Sequence, residues 1–226
     1  MVKINVLDKG FVELLDTFGD DLTVVNAARV SFAKESTTLE TRDEKLIQYL
    51  ADHKHNTPFF HPQARFRLKM PIYVAREWFR HTVGFARNEV SRRYVDDAPE
   101  CFLPSILRER DTNKKQGSKE TPIKDNEETL NEIAEYQKLS IEFYDTLLKK
   151  GVAPEIARGV LPQSMYTEFI ETASLSAYAR LCELRLNPYA QAEIQAYAKA
   201  VCELLEPRFR ISWKALTSSK DYPTAE

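Results

Sequence analysis

Between His61 and Met70 apolar and charged side chains alternate, with Phe66, Leu68 and Met70 on one face and Arg65, Arg67 and Lys69 on the other. A period of two is what a strand buried on one side requires, because successive Cβ atoms leave opposite faces of the pleat. Directly afterwards, Pro71 suits the first position of a helix, and Ile72, Ala75 and Phe79 keep helical spacing through Arg80. A half-exposed strand that runs straight into a helix points to a fold mixing the two. This helix is expected to end near Gly84.

The flanking segments repeat the mixture. Residues 2–7 and 11–15 alternate around Asp8-Lys9-Gly10, as a hairpin or bent strand does, and helical periodicity covers Leu22 to Phe32 and Thr41 to His53. From Arg108 to Glu128 the chain turns polar, with six basic and six acidic residues plus Gly117 and Pro122. The sections on either side look too small to fold alone, so residues 108–128 read as a surface excursion of a single domain spanning 1–226. Asn126 is placed to cap a long helix that stops at Lys149-Lys150-Gly151, and Pro154 opens a short one. Met165 to Thr172 reads as a strand, Ser174 or a neighbour as the start of a helix to Leu186, and Tyr189 to Leu205 as the last long helix.

Charge and composition exclude several functions. Thirty-two basic against 34 acidic side chains leave a net charge of −2, so no global field exists to hold nucleic acid or an anionic membrane. Neither is expected as a partner. The six glycines offer neither the G-x-G-x-x-G turn nor the G-x-x-x-x-G-K loop of the common nucleotide cradles. No run of 18 apolar residues and no signal-like start is present, and a cytoplasmic location is expected. Cys101, Cys182 and Cys202 are odd in number and far apart, which argues against a disulfide framework or a zinc knuckle.

The densest anomaly runs from Arg76 to Tyr94. Five arginines (76, 80, 87, 92 and 93) against Glu77 and Glu89 give a local charge of +3 inside a slightly acidic protein. Helical spacing would let Glu77 orient Arg80 or His81. The loop beyond would offer Asn88, Ser91, Arg93 and main-chain N–H groups, a donor set that suits a phosphate monoester because guanidinium forks match phosphate oxygens. The plain alternative is a solvated, salt-bridged surface helix. His53, His55, His61 and His81 lack a carboxylate at a spacing that would complete a metal site, and no metal is expected. Cys182 lies between Leu181 and Leu184 on the helix of Arg180 and Arg185, which favours a buried thiol over a nucleophile.

Asn88-Glu89-Val90-Ser91-Arg92-Arg93-Tyr94 resembles the second half of the signature of the flavin-dependent thymidylate synthases, which joins Arg-His-Arg to a serine and continues as Asn-Glu-x-Ser-x-Arg-Tyr. The likeness also covers Val6 to Leu14, Ala27 to Phe32, Asn56 to Phe59, Ala75 to His81, Glu155 to Pro162, Glu183 to Arg185, and Ala190-Gln191. Three departures stand out. Thr82 replaces the third member of Arg-His-Arg, and one extra residue separates Arg80 from Ser91. Glu77 stands where glutamine is usual, needing Arg76 or Arg80 to neutralise it beside a phosphate. Ser174, Arg180 and Tyr189 occupy positions where asparagine, asparagine and histidine are common.

The resemblance implies an α+β protomer, an antiparallel sheet packed with several helices, in a homotetramer with shared active sites. It implies methylation of dUMP to dTMP with FAD, methylenetetrahydrofolate as one-carbon donor and NADPH as reductant. Arg185 would act on the uracil ring, and Arg158 would hold the same nucleotide from another subunit. Ser91, Arg92 and Arg93 would bind its phosphate, with Glu77, Arg80 and Glu89 also on the substrate. FAD would meet Thr57, Arg80, His81, Thr82, Glu89, Ser174 and Arg180, with Ser31 as an addition. Two alternatives remain open: a flavin-dependent methylase or hydroxymethylase of UMP or dCMP, and a nucleotide- or RNA-binding homologue without the chemistry.

Overall fold

The computed structural model describes residues 2–95, 97–112 and 117–218. β1 (Val2–Val6) and β2 (Gly10–Phe18) form the expected hairpin, and β2 pairs with β3 (Gln63–Pro71) through a bulge between Leu14 and Asp16. Gly10 is required there, since a Cβ would fall 2.0 Å from the Tyr197 hydroxyl oxygen and 2.7 Å from the Lys69 carbonyl oxygen. β3 keeps its alternation in three dimensions: Ala64, Phe66, Leu68 and Met70 are buried, and Arg65 and Arg67 are exposed.

α1 (Asp21–Arg29) and α2 (Thr41–Asp52) follow the two helical runs and pack around Phe59 and Ala215 in a small core of their own. After β3, α3 (Ile72–Trp78) is shorter than expected. Pro71 still pairs with Tyr166 as a strand residue and caps the helix from outside, and the buried stripe is Val74, Ala75 and Trp78. The chain then turns through Gly84, at φ +84°, into β4 (Phe85–Glu89), a strand where the sequence suggested a loop.

Part of the polar excursion forms a separate hairpin, β5 (Arg108–Arg110) with β6 (Ser118–Pro122). It is tied inward by Arg108 Nη2 donating to Glu193 Oε1 at 2.7 Å. α4 (Asn126–Lys149) is the long helix, but Asn126 is its first residue, not its cap. The Asn126 side-chain oxygen instead accepts the Leu107 N–H at 2.7 Å, which fastens the helix start to the preceding loop. α5 (Pro154–Ala157) leads to β7 (Tyr166–Ser174), α6 (Leu175–Arg185), α7 (Ala192–Leu205) and α8 (Arg210–Thr217). α7 starts three residues later than expected because Asn187 to Ala190 make a turn, with Tyr189 N–H donating to Asn187 Oδ1 at 2.9 Å.

The main sheet has the order β1-β2-β3-β7-β4, and every pairing is antiparallel. α3, α6 and α7 cover one face, where Phe66, Leu68, Met70 and Phe169 meet Trp78, Tyr178, Tyr197 and Val201. Among the described residues no helix is long and apolar enough to cross a membrane. The expected mixed fold with an antiparallel sheet is therefore present, and it sets β4 at the sheet edge.

Candidate active site

α6 ends at Arg185, the last turn of α3 carries Glu77, and the turn beyond α3 carries His81. Arg185 Nε donates to His81 Nε2 at 2.9 Å, Nη2 donates to the Glu77 carbonyl oxygen at 2.9 Å, and Nη1 donates to Glu77 Oε2 at 3.3 Å. A guanidinium has five N–H groups, so this arrangement leaves two for a ligand. The Arg185 side chain is 19% exposed and that of Glu77 34%, so the pair is partly shielded from water. Burial and Arg80 lower the Arg185 pKa while the Glu77 carboxylate opposes them, and the group remains a cation.

This corrects the expected partner of Glu77. Because α3 closes at Trp78, Arg80 and His81 leave the helical register in which they would have neighboured Glu77. Glu77 is neutralised by Arg185 from a different helix, Arg76 reaches Gln163 Oε1 at 3.4 Å, and Arg80 is exposed.

An arginine N–H can only donate, so His81 Nε2 is an acceptor and the imidazole is neutral with its proton on Nδ1. Burial first, then the charges of Arg185, Arg87, Arg180 and Arg80, hold its pKa down to about 4. The folded value lies below the ordinary 6.5, so an unfolded chain takes up a proton in the interval that the folded chain refuses. Stability from this group is complete above the ordinary value and drains away as pH falls through the interval. His81 is half-buried and solvent partly screens it, so the expected loss is about 1 kcal/mol. Urea unfolding near pH 7 and near pH 4 should show wild type losing that much more than His81→Asn; equal losses would contradict it.

Three cavities share lining residues, and the first of them begins two residues beyond His81. One, of about 450 Å³, lies against Val83, Gly84, Phe85, Ser174 and Arg180. A second, of about 560 Å³, meets it at Arg180 and adds Lys54, Asn56 and Ser176. The third, of about 680 Å³, shares Lys54 and Asn56 and contains Ser31 and Thr57. Arg180 Nη2 donates to the Val83 carbonyl oxygen at 2.9 Å and Nη1 to Ser176 Oγ at 3.4 Å, which pins the turn before β4. The Ser174 hydroxyl is occupied as the α6 cap, accepting the Ala177 N–H at 3.2 Å. Thr82 is exposed, and its carbonyl oxygen accepts the Phe85 N–H at 3.2 Å.

β4 carries the remaining residues away from Arg185. It runs along β7 from Phe85 opposite Ala173 to Glu89 opposite Phe169, and Glu89 Oε1 accepts from Thr167 Oγ1 at 2.5 Å. Ser91 to Tyr94 then form a turn closed by the Tyr94 N–H on the Ser91 carbonyl oxygen at 3.0 Å. Ser91 Oγ accepts the Arg93 N–H at 3.3 Å, and Arg92 donates to the Asp97 carbonyl oxygen. Arg93 faces Glu155 of α5 at 3.6 Å, and the exposed Arg158 follows that helix directly. Five strand residues at roughly 3.4 Å each make about 17 Å of β4 between the His81 side and the Ser91 side. The structure therefore separates two clusters along β4: Glu77, His81 and Arg185, and the Ser91 turn near α5.

One group here escaped the sequence reading. Glu171 of β7 is fully buried and ion-paired with Arg87 of β4, and Trp78 Nε1 donates to both of its oxygens at 3.2 Å. The signal was present: Thr167, Phe169, Glu171 and Ala173 alternate on the buried face, and a carboxylate there demands a partner.

Residues 13–209 match the family model described as thymidylate synthase complementing protein. The chain belongs to this family. It is 42% identical to the flavin-dependent thymidylate synthase of Thermus thermophilus over 212 residues, which is 94% of this chain and 77% of that one. The enzyme of the same name from Kosmotoga olearia is 40% identical over 215 residues, 95% of this chain and 93% of the other. Among solved structures, the UMP/dUMP methylase PolB from Streptomyces cacaoi bound with 5-Br dUMP superimposes with a TM-score of 0.84 at 29% identity, covering 95% of this chain and 97% of that one. The family's Asn-Glu-x-Ser-x-Arg-Tyr segment is thus the end of β4 and the turn beyond it.

Proposed function

We propose that the protein is a flavin-dependent thymidylate synthase: it methylates dUMP to dTMP with methylenetetrahydrofolate as one-carbon donor, FAD as bound cofactor and NADPH as reductant. The observation that carries this reading, in a chain of this family, is the Arg185 fork fixed by Glu77 and His81 with two N–H groups free. A planar pair of donors suits one carbonyl and one ring nitrogen of a pyrimidine.

The residues present fit FAD. The three cavities that share walls at Arg180 and at Lys54 and Asn56 offer Lys54 and Arg180 for an anionic pyrophosphate, Ser31, Asn56 and Thr57 for hydrogen bonds, and Phe32 and Phe85 for ring contact. Of the residues expected on FAD, Ser31, Thr57, Ser174 and Arg180 line these cavities and would hold it, whereas Arg80, His81, Thr82 and Glu89 line none of the three. When bound and reduced, FAD supplies the hydride for the pyrimidine ring.

The chain's own contribution is position and charge. Arg185 stabilises negative charge developing on the ring, and His81, neutral, presents its Nδ1–H as a donor that does not titrate near neutral pH. Ser91, Arg92 and Arg93 bind the phosphate and Arg158, beside them at the end of α5, holds the nucleotide, this whole cluster coming from a subunit neighbouring the one that supplies Arg185. No thiolate is needed: burial pushes the thiols of Cys101 and Cys182 up. Separation of the two clusters along β4 supports a homotetramer with shared sites. So does an exposed apolar stripe on α4, where Tyr136 is 63%, Leu139 56% and Phe143 50% exposed at helical spacing.

The test is anaerobic turnover of FAD-loaded protein with dUMP, UMP and dCMP in parallel, read by product mass. Methylated dUMP is expected, and no methylated product would overturn the reading. UMP as a second substrate is favoured by the solved neighbour, a UMP/dUMP methylase also seen with 5-Br UMP at a TM-score of 0.83.

Arg93→Ala should weaken dUMP binding by about 1–2 kcal/mol, below the usual 2–5 kcal/mol for a buried charged pair, because Arg93 is half exposed and already faces Glu155. Calorimetric titration measures this, and an unchanged Kd would remove Arg93 from the phosphate site.

A further inference from the structure

Between Arg180 and Arg185, α6 turns Cys182 toward α7, where its Sγ donates to the Ala198 carbonyl oxygen at 3.7 Å. Ala198 lies one helical turn before Cys202, so the carbonyl oxygen that the Cys182 sulfur reaches is the one that faces the Cys202 N–H within α7. Both cysteines are free thiols, and both line a cavity of about 470 Å³ between α6, α7 and α8, walled on the far side by Trp213 and Lys214. Cys182 is 1% exposed, while Cys202 is half-buried and opens to the cavity. A small oxidant in that cavity therefore meets Cys202 first. Burial, followed by the Cys202 neighbour, pushes the Cys182 thiol well above its usual range, so Cys182 waits as a protonated thiol. Cys101 bridges to Met165 elsewhere in the fold and serves as an internal control.

We propose that Cys182 and Cys202 form a reversible dithiol–disulfide pair, oxidised by hydroperoxides that enter this cavity and reduced again by small dithiols, so that α6 can be covalently stapled to α7. In the first step the Cys202 sulfur attacks the distal peroxide oxygen, the O–O bond breaks, and Cys202 becomes a sulfenic acid while the hydroperoxide leaves as an alcohol or water. In the second, the Cys182 sulfur attacks the sulfenic sulfur, the S–S bond forms, and the hydroxyl departs as water carrying the Cys182 proton. The peroxide is reduced by two electrons, and the two thiols supply them. The bond holds the two Cβ atoms at about 3.8 Å and so fixes α6 against α7 at this point. A dithiol reverses the reaction by exchange, leaving as its own cyclic disulfide. The helix that closes on Cys202 is the one that ends in Arg185.

The experiment treats full-length, FAD-loaded protein with hydrogen peroxide, alkylates remaining thiols with iodoacetamide and maps the peptides. The expected result is a chain lighter by two hydrogen atoms, one alkylatable thiol left of the three cysteines, and a linked peptide joining Cys182 to Cys202. Dithiothreitol restores all three thiols, Cys101→Ser gives the same linked peptide, and Cys202→Ser gives none. Oxygen added at Cys202 without a link, a link that uses Cys101, a link between chains, or no loss of thiols would each overturn the proposal. The wild-type peptide map alone decides it, so a variant that folds poorly does not blunt the test. Neither result depends on which pyrimidine the enzyme methylates.

Discussion

Arg185→Lys is expected to slow single-turnover formation of dTMP by about 10²-fold or more, comparable to removing one preorganised donor from a developing oxyanion, while changing the Kd for dUMP by less than about tenfold. Lysine keeps the charge, but a compact ammonium cannot repeat what the guanidinium does. Arg185 spends Nε on His81 and one N–H of each terminal nitrogen on Glu77, and still presents two N–H groups in one plane. An ammonium has three donors and no fixed plane, so satisfying His81 and Glu77 would leave at most one for the ring. Its loss falls on turnover because the ring carries more negative charge in the transition state than in the bound nucleotide, and only such differential contacts accelerate chemistry. Pre-reduced enzyme mixed with dUMP and methylenetetrahydrofolate and quenched over time gives the rate free of flavin reduction. A lysine variant that turns over at the wild-type rate would reduce the Arg185 contacts to a helix-end tether.

What could be read from sequence and what could not divides by the range of the interaction. β3 was legible because alternation between residues 63 and 70 is a local pattern imposed by one buried face, and α1, α2 and α4 were legible for the helical equivalent. Asn88 to Tyr94 was legible as a motif, but not as a strand, because β4 holds its place through β7 and the Arg87–Glu171 pair, 84 residues apart in sequence. The true partner of Glu77 lay 108 residues away, out of reach of any spacing rule. Helical spacing misled at Arg80 and His81 because the chain beyond Trp78 tightens into turns, with the Arg80 N–H on the Glu77 carbonyl oxygen and the His81 N–H on that of Trp78. Asn126 had the right chemistry for a cap, but a main-chain N–H 19 residues earlier competed for its oxygen and won.

Glu171→Ala is expected to cost about 3–5 kcal/mol of folding stability, the range for breaking one half of a buried ion pair. Burial pushes the Glu171 carboxyl up, while Arg87, the Trp78 N–H and the Tyr178 hydroxyl pull the other way, so its ionised form depends on those three partners. Removing the carboxylate strands the Arg87 guanidinium, 14% exposed and already carrying one buried nitrogen, Nη2, without a hydrogen-bond partner, and leaves the fully buried Trp78 N–H unanswered. Stacking of Arg87 over Phe85, 4.5 Å from the ring centre, and over Phe79 at 5.3 Å cannot replace a carboxylate, since cation–π contacts are worth roughly 0.5–2 kcal/mol. The damage should reach the site, because the same pair fixes the middle of β4 between the His81 corner and the Ser91 turn. If desolvation is the cause, Arg87→Met combined with Glu171→Leu should recover most of the loss, as an apolar pair of similar volume leaves no charge buried. Urea denaturation of the three proteins distinguishes the cases. A Glu171→Ala loss under about 1 kcal/mol, or a double variant no more stable than the single, would mean that the backbone pairing with β7 holds β4 without the ion pair.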